Sequence, residues 1–286
     1  MSPLFRLVLL APLVLALAGC ITSETLIKLK ADGSGTLEQV MLVNVRALEE
    51  VPGMMAGLLG GKASSPSSSK KTAGSAPLEM FDENKVRSDV EKFGTGVRFV
   101  SAEKLTRGAM EGGRVIYAFN DINTLTIDQE LPTGALGGGA QGAAESDPLM
   151  FRLTRLPNGR SVVTVRFDEP IGGPKPPKGT PAPKMAKGDM PDGVEEMMET
   201  MLDGFRVAID IEVDGAIAAT SSPFVEGSRV TVLEMDLGRL VKDPGGMKAL
   251  ERLTPGASVS EMIPVLKDVR GIRVNASPLT IEFTGR

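Results

Sequence analysis

The sequence predicts an α+β fold in which helices lie on one face of an antiparallel sheet. Short β-rich runs flank an Asp-Gly or Asn-Gly dipeptide at three places, namely Asp32-Gly33, Asn158-Gly159 and Asp214-Gly215. Such dipeptides between two β-rich runs are strong signals for hairpins. Elsewhere, apolar residues recur at helical spacing. About nine strands with a few helices indicate an α+β architecture rather than a parallel α/β one.

The first part of the chain predicts a hairpin, then a helix, then a second strand pair. Residues 25–30 and 36–45 form the hairpin around Asp32-Gly33. Residues 81–93 follow as a helix with a stripe of Val86, Val90 and Phe93, which Gly94 ends. The strand pair is expected at 97–105 and 114–119, with a Gly-rich turn between its members.

The remaining strands are expected at 150–156, 161–167, 205–213, 216–221, 229–235, 272–276 and 279–283, and two short helices at 247–253 and 259–269. Between them, residues 194–205 have the most regular helical pattern. Its apolar members fall at i, i+3, i+4, i+7, i+8 and i+11: Val194, Met197, Met198, Met201, Leu202 and Phe205.

A weak internal repeat suggests two related halves; a coincidence between two strands that each follow a Glu-Gly turn is the alternative. Residues 111–115 match residues 226–230, and Asp121 and Leu125 match Asp236 and Leu240 at the same offset. We therefore divide the chain into a signal peptide (1–19), a first α+β half (20–168), a proline-rich linker or loop (169–193) and a second α+β half (194–286). Two Gly/Ser-rich insertions in the first half, near 60–77 and 132–148, are expected to be disordered.

The N-terminus has the features of a secretory signal. A single charge, Arg6, precedes an apolar run from Leu7 to Leu17 that is too short to span a bilayer. The run ends in Leu17-Ala18-Gly19-Cys20, which contains the only cysteine of the chain. An ordinary cleaved signal with a chance cysteine is the alternative.

Leu17-Ala18-Gly19-Cys20 resembles the lipobox of bacterial lipoproteins. The resemblance implies that the Cys20 thiol receives diacylglycerol, that the chain is cut before Cys20, and that its new amino group is acylated, for instance with palmitate. It also implies that Ile21, in a position where Asp favours the inner membrane, directs the protein to the outer membrane of a two-membrane envelope. The protein would then face the periplasm or the exterior.

The body also resembles a known group. Its first strand, the turn Asp32-Gly33-Ser34-Gly35-Thr36 and the strand after it are similar to those of LppM-type lipoproteins and of other uncharacterised envelope lipoproteins. The resemblance implies a small α+β domain with a lipid-like ligand, and it transfers no functional residue except Cys20.

Composition excludes several functions. The net charge of −4 gives no basic footprint for nucleic acid. The chain has no histidine, which removes Ser-His-Asp and Cys-His catalysis and His-based metal sites. Residues 137–142 fit a dinucleotide glycine pattern, but neither a predicted strand nor a helix adjoins them. We therefore expect no catalytic residue, no metal and no cofactor.

Three functions remain open. The first is a non-enzymatic, membrane-anchored lipoprotein that binds an apolar or lipid-like ligand, or an envelope partner. Flexible methionines line adaptable apolar grooves, so Met197, Met198 and Met201 are the candidate ligand contacts. The second is a purely structural or assembly lipoprotein with a filled core. The third is a hydrolase that uses carboxylates alone.

Overall fold

Two β-sheets make up most of the structure, a computed structural model that describes residues 21–44, 83–127, 148–166, 204–243, 245–252, 259–266 and 268–285. The strands of the first sheet are β1 (Ile21–Leu29), β2 (Gly35–Asn44), β3 (Val97–Arg107), β4 (Met110–Phe119), β8 (Arg206–Val213), β10 (Val225–Glu226), β11 (Arg229–Asp236) and β12 (Ile272–Val274). Their order in the sheet is β10-β11-β8-β1-β2-β4-β3, with β12 also paired to β11.

The second sheet has five strands in the order β5-β6-β7-β13-β9. They are β5 (Thr126–Ile127), β6 (Leu149–Arg155), β7 (Ser161–Arg166), β9 (Gly215–Thr220) and β13 (Leu279–Gly285). Every pairing within this sheet is antiparallel. In the first sheet, β1 pairs antiparallel with β2 and parallel with β8.

The two sheets share one hydrophobic core. Alternate residues of each strand point into it, as the pleat of a strand requires. The side chains with the least exposure come from both sheets, among them Ile27, Leu37 and Ile211 of the first and Val163, Ile281 and Phe283 of the second. The fold is therefore a β-sandwich.

The predicted α+β class is wrong. The described helices are short: α1 (Glu83–Ser88), extended by a 3₁₀ segment (Asp89–Phe93), α2 (Leu237–Lys242), α3 (Gly246–Arg252) and α4 (Val259–Leu266). A second sheet, not a layer of helices, covers the apolar face of the first. An alternating strand shows that one face is buried, but not what buries it, and this ambiguity caused the error.

The two predicted halves are interleaved. Strand β8 follows the predicted linker, yet it lies beside β1 in the first sheet. Strand β13 at the end of the chain lies beside β7 in the second sheet. Both sheets therefore combine strands from before and after residues 169–193, which themselves lie outside the described residues, as do 1–20 and 60–77.

Two of the three predicted dipeptide hairpins are confirmed. Strands β1 and β2 pair around Asp32-Gly33, and β6 and β7 pair around Asn158-Gly159. At Asp214-Gly215 the hairpin prediction is wrong, because β8 belongs to the first sheet and β9 to the second. The Asp214 N–H donates to the Leu29 carbonyl (2.8 Å) at this crossing between sheets.

The crossing of the chain from β8 to β9 requires glycine at position 215. Gly215 has a φ of 154°, and a Cβ at this position would lie 1.7 Å from the Thr284 carbonyl oxygen on β13. By contrast, Gly159 has a φ of 79° in its turn, but no atom lies within 4 Å of its Cβ position.

Gly215→Ala is expected to lower the free energy of unfolding by more than about 3 kcal/mol, since backbone strain and overpacking add together. Gly159→Ala, which introduces strain alone, should cost about 1–2 kcal/mol. Urea denaturation of a chain that begins at Ile21, followed by the fluorescence of its single tyrosine, measures both. Equal losses would show that the close approach of β9 and β13 is not a constraint.

An aromatic cluster packs the first helical segment, residues 83–93, against the first sheet. Tyr117 on β4 lies 4.7 Å from the Phe93 ring and 6.3 Å from the Phe99 ring, centroid to centroid. The Arg87 guanidinium lies 4.3 Å from the centre of Phe99. Burial, with a smaller contribution from Asp89, raises the pKa of Tyr117 to about 12.

This pKa can be read directly, because Tyr117 is the only tyrosine. In the native protein, tyrosinate absorbance should rise near pH 12, against the ordinary pKa of 10.0 in denaturant. The folded-state pKa is raised, so its contribution to stability is present below pH 10 and is lost as the pH approaches 12. Tyr117→Phe should remove this loss. A native titration near pH 10 would mean that the ring is not buried.

Candidate functional site

The end of the sandwich next to Cys20 is defined by the start of β1. Ile21, its first residue, is buried in a cluster with Val43, Phe205 and Val207. The same level of the sheet holds the end of β11, because Thr22 pairs with Arg206 and Arg206 pairs with Asp236. We call this level the anchor end, and the opposite level, with the turn at residues 30–34, the distal end.

An ion network lies at the anchor end, on the face of the first sheet that points away from the second. Arg206 on β8 contacts Glu24 on β1 and Glu234 on β11, the latter at 3.0 Å. Glu234 also contacts Arg273 (3.3 Å), and Glu24 contacts Arg107 (3.2 Å). The adjacent strands β1, β8 and β11 place Glu24, Arg206 and Glu234 on one face, so these three strands are joined by charge as well as by main-chain bonds.

Because the network is partly buried, each of its charges depends on its partners for compensation. The Glu234 side chain is only 8% exposed and that of Arg206 is 33% exposed. Burial alone would lower the pKa of Arg206, but the hydrogen bond and charge of Glu234, with the charge of Glu24, raise it. Arg206 therefore stays charged, and it compensates two carboxylates.

One carboxyl group on the same face, that of Asp210, has a raised pKa. Burial raises the pKa of Asp210, and a hydrogen bond from Thr231 and the charges of Arg229 and Arg206 oppose this shift. A carboxyl of raised pKa beside ionised ones is a pattern that acid–base enzymes use. Here, however, the neighbouring carboxylates Glu212 and Glu234 are each paired with arginine.

An open cleft of about 880 Å³ adjoins the network at the anchor end. Strands β11 and β12, helix α2 and the segment before β12 form its walls. The lining residues are Phe224, Glu234, Arg239, Lys242, Asp243, Asp268, Val269, Arg270, Gly271, Ile272 and Arg273. We call it the anchor-end cleft.

A second cleft, of about 510 Å³, lies at the distal end. Its charged lining consists of Lys28, Lys30, Arg98, Glu212 and Asp214, and Phe119 and Val213 contribute apolar surface. We call it the distal cleft. Both clefts combine charged and apolar walls, which suits a ligand with both kinds of surface better than a purely apolar one.

The residues singled out from the sequence lie outside the described residues. This holds for Cys20, the predicted lipidation site, and for Met197, Met198 and Met201, the predicted ligand contacts. The helix predicted over 194–205 lies outside them up to residue 203, and Phe205 is buried just before β8.

The ion network is not among the features that the sequence predicts. A signal was present, because Arg206, Asp210 and Glu212 alternate with apolar residues along β8 and so mark a charged face. Their partners could not be found in the same way. Glu24 lies 182 positions from Arg206 in the chain, and only the parallel pairing of β1 with β8 brings them together.

Within the described residues, no group of three or more His, Cys, Asp or Glu side chains could hold a metal ion. In the same part of the chain, no helix has the length and apolarity needed to cross a membrane.

No protein-family model matches this sequence, and no curated protein matches it. Among solved structures, the chain is similar to the NMR structure of the folded domain of Mycobacterium tuberculosis LppM. The identity is 9% and the TM-score 0.31, over 94% of this chain and 91% of that one. At that score the similarity carries no argument about fold or function.

Removing the central cation of the network should destabilise the fold. Arg206→Met is expected to cost about 2–3 kcal/mol, because it leaves Glu234 with one partner in a largely buried place. Arg229→Met breaks the more exposed pair with Glu212 and should cost no more than about 1 kcal/mol. Urea denaturation of both variants at neutral pH gives the comparison. Similar small losses would show that the network contributes no more than surface ion pairs do.

Proposed function

We propose that this protein is a lipid-anchored bacterial envelope protein without enzymatic activity, whose β-sandwich sits directly on the membrane surface. The observation that carries the proposal is the start of β1 at Ile21, one residue after Cys20. Ile21 is 5% exposed, and β1 lies between β2 and β8. A lipid on Cys20 would therefore join the middle of the first sheet without a tether.

The chemistry of the anchor follows from the lipobox resemblance. Several acyl chains on Cys20 would hold the protein stably, whereas one chain gives only marginal binding. Ile21 after the cysteine favours the outer membrane where an envelope has two. The anchor end then faces the headgroups, and the distal cleft faces away from the membrane.

Binding of a lipid-like ligand or an envelope partner is the role we favour for the body. The described interior between the sheets is filled, since side chains such as Ile27, Val163 and Phe283 have no exposed surface. A ligand held by the described residues would therefore bind on the outer clefts, whose mixed walls suit an amphipathic molecule. Contacts through Met197, Met198 and Met201 stay a prediction.

The contacts of the carboxylates with arginine support the proposed lack of catalysis. Glu24, Glu38, Glu212 and Glu234 each contact at least one arginine, and these contacts hold strands together. Carboxylate-only hydrolysis would require two carboxyl groups that are available to a substrate.

A structural or assembly role is the second candidate, and the filled core favours it. Mass spectrometry of lipid that co-purifies with a secreted form beginning at Ile21 separates the two roles. A stoichiometric lipid supports ligand binding, and its absence supports the structural role.

Lipidation at Cys20 is tested by moving the only cysteine. Wild-type protein should incorporate labelled palmitate during growth, and Cys20→Ser should incorporate none. The matched control, Cys20→Ser combined with Ser23→Cys, keeps a thiol three residues away, outside the lipobox, and should also stay unlabelled. Label in either variant, or none in the wild type, would refute the anchor. Palmitate is a better readout than fractionation, because an uncut signal peptide can itself retain a protein on membranes.

A further inference from the structure

We propose that the outward face of the second sheet binds an acidic, extended segment of a partner polypeptide through Arg152 and Arg166. This inference rests on the proposed role as an envelope protein that binds a partner, and it names the surface and the chemistry of that partner. The face is separate from both clefts, and binding there does not require the lipid anchor.

The two arginines lie side by side on adjacent strands. Arg152 on β6 is paired in register with Thr164 on β7, and Arg166 lies two residues further along β7. Both are exposed, whereas the alternate residues Phe151 and Val165 point into the core. Diagonal neighbours on one face of an antiparallel pair are about 7–8 Å apart. We call Arg152 and Arg166 the arginine pair.

No side chain of the described residues compensates the arginine pair. In that part of the chain, neither guanidinium group has an ion-pair or hydrogen-bond partner. By contrast, Arg114, Arg206 and Arg229 on the outward face of the first sheet each contact a carboxylate. Like charges on neighbouring strands repel, so the stability of the sheet does not explain why two arginines lie together here.

The strands of the second sheet carry an excess of positive charge. They contain three arginines and one acidic residue, Glu282, in a chain whose net charge is −4. Glu282 contacts Arg160 (2.9 Å) in the turn between β6 and β7, so its charge is already compensated. The third arginine, Arg155, donates to the Asp32 carbonyl (3.0 Å) at the distal end. The outward face therefore keeps the two positive charges of the arginine pair.

Acidic side chains on the segments beside this sheet do not contact the arginine pair. Asp89, on the 3₁₀ segment that adjoins β5, contacts Lys92 (2.7 Å). Asp121, which precedes the 3₁₀ turn beside β6, accepts hydrogen bonds from the main chain and the side chain of Asn123. Glu91 lies on the same segment as Asp89 and forms no ion pair with either arginine. Both guanidinium groups are therefore available to an external anion.

The separation of the two arginines favours an extended peptide as the occupant. Alternate residues of an extended chain point to the same side and are about 7 Å apart. Two carboxylates at positions i and i+2 of a partner segment can therefore each meet one guanidinium group, with the paired hydrogen bonds that arginine forms with carboxylate.

The surroundings of the arginine pair also suit a polypeptide. Met150, directly opposite Arg166, is 46% exposed and offers an adaptable apolar contact. Thr164, directly opposite Arg152, offers a hydroxyl group. Because both arginines are exposed, a small anion would stay largely hydrated there, whereas a polypeptide covers the pair and excludes water.

The test uses the full chain in an uncharged detergent and a short labelled peptide in which Glu alternates with Thr. Fluorescence anisotropy should show saturable binding that weakens as salt is added, because exposed charges are screened. The same peptide with Gln in place of Glu should bind roughly tenfold more weakly. A peptide of equal composition, with its Glu and Thr residues in adjacent pairs, has carboxylates on both sides and should also bind more weakly than the alternating one.

Variants of the protein locate the binding surface. Arg152→Gln with Arg166→Gln should weaken binding of the alternating peptide by roughly tenfold. Arg152→Lys with Arg166→Lys keeps the charge without the planar guanidinium and should give an intermediate affinity. The matched control, Arg98→Gln with Lys104→Gln, removes an equal charge from two exposed positions on β3 and should change the affinity by less than about twofold.

Equal binding of the Glu and Gln peptides, or an equal loss in the β3 variant, would overturn the proposal. Equal binding of the alternating and paired peptides would exclude an extended segment as the occupant. Displacement of the peptide by inorganic phosphate would make the arginine pair a small-anion site, and displacement by phosphatidylglycerol in the micelles would make it a lipid contact, so either result also contradicts the proposal. The anchor is tested separately by palmitate labelling, because peptide binding in detergent does not depend on it.

Discussion

The position of β1 at the centre of the first sheet is the constraint on which the rest of the structure depends. This strand forms main-chain bonds with β2 on one side and with β8 on the other, and it also contributes Ile27 and Leu29 to the shared core. Because β8 comes so much later in the chain, the sheet cannot close until both predicted halves have been made. Such distant pairings are costly in loop entropy and slow to form.

The outer charges follow from the same arrangement. A strand that buries one face in the core presents its alternate residues on the other face, and three such strands bring Glu24, Arg206 and Glu234 together. Partial burial strengthens the attraction between these groups and raises the cost of removing one of them. The network therefore reinforces the parallel contact between β1 and β8, the pairing that joins the two parts of the chain.

The two clefts lie on the surface of the sandwich and not in its described interior. Buried side chains from both sheets occupy the described interior, and the two clefts lie at opposite ends of the first sheet. One is beside the start of β1 and the other is remote from it. If Cys20 carries lipid, the two clefts face different surroundings.

The sequence by itself determined the local features: the confirmed turns at Asp32-Gly33 and Asn158-Gly159, the glycine stop after Phe93, and the short helices near the C-terminus. Each depends on residues close together in the chain. Only the tertiary structure decided that a second sheet covers the first, that Asp214-Gly215 crosses between sheets, and that Arg206 meets Glu24. These depend on which distant strand completes an apolar face or a charge pair, and the alternation along one strand is the same whichever partner it finds.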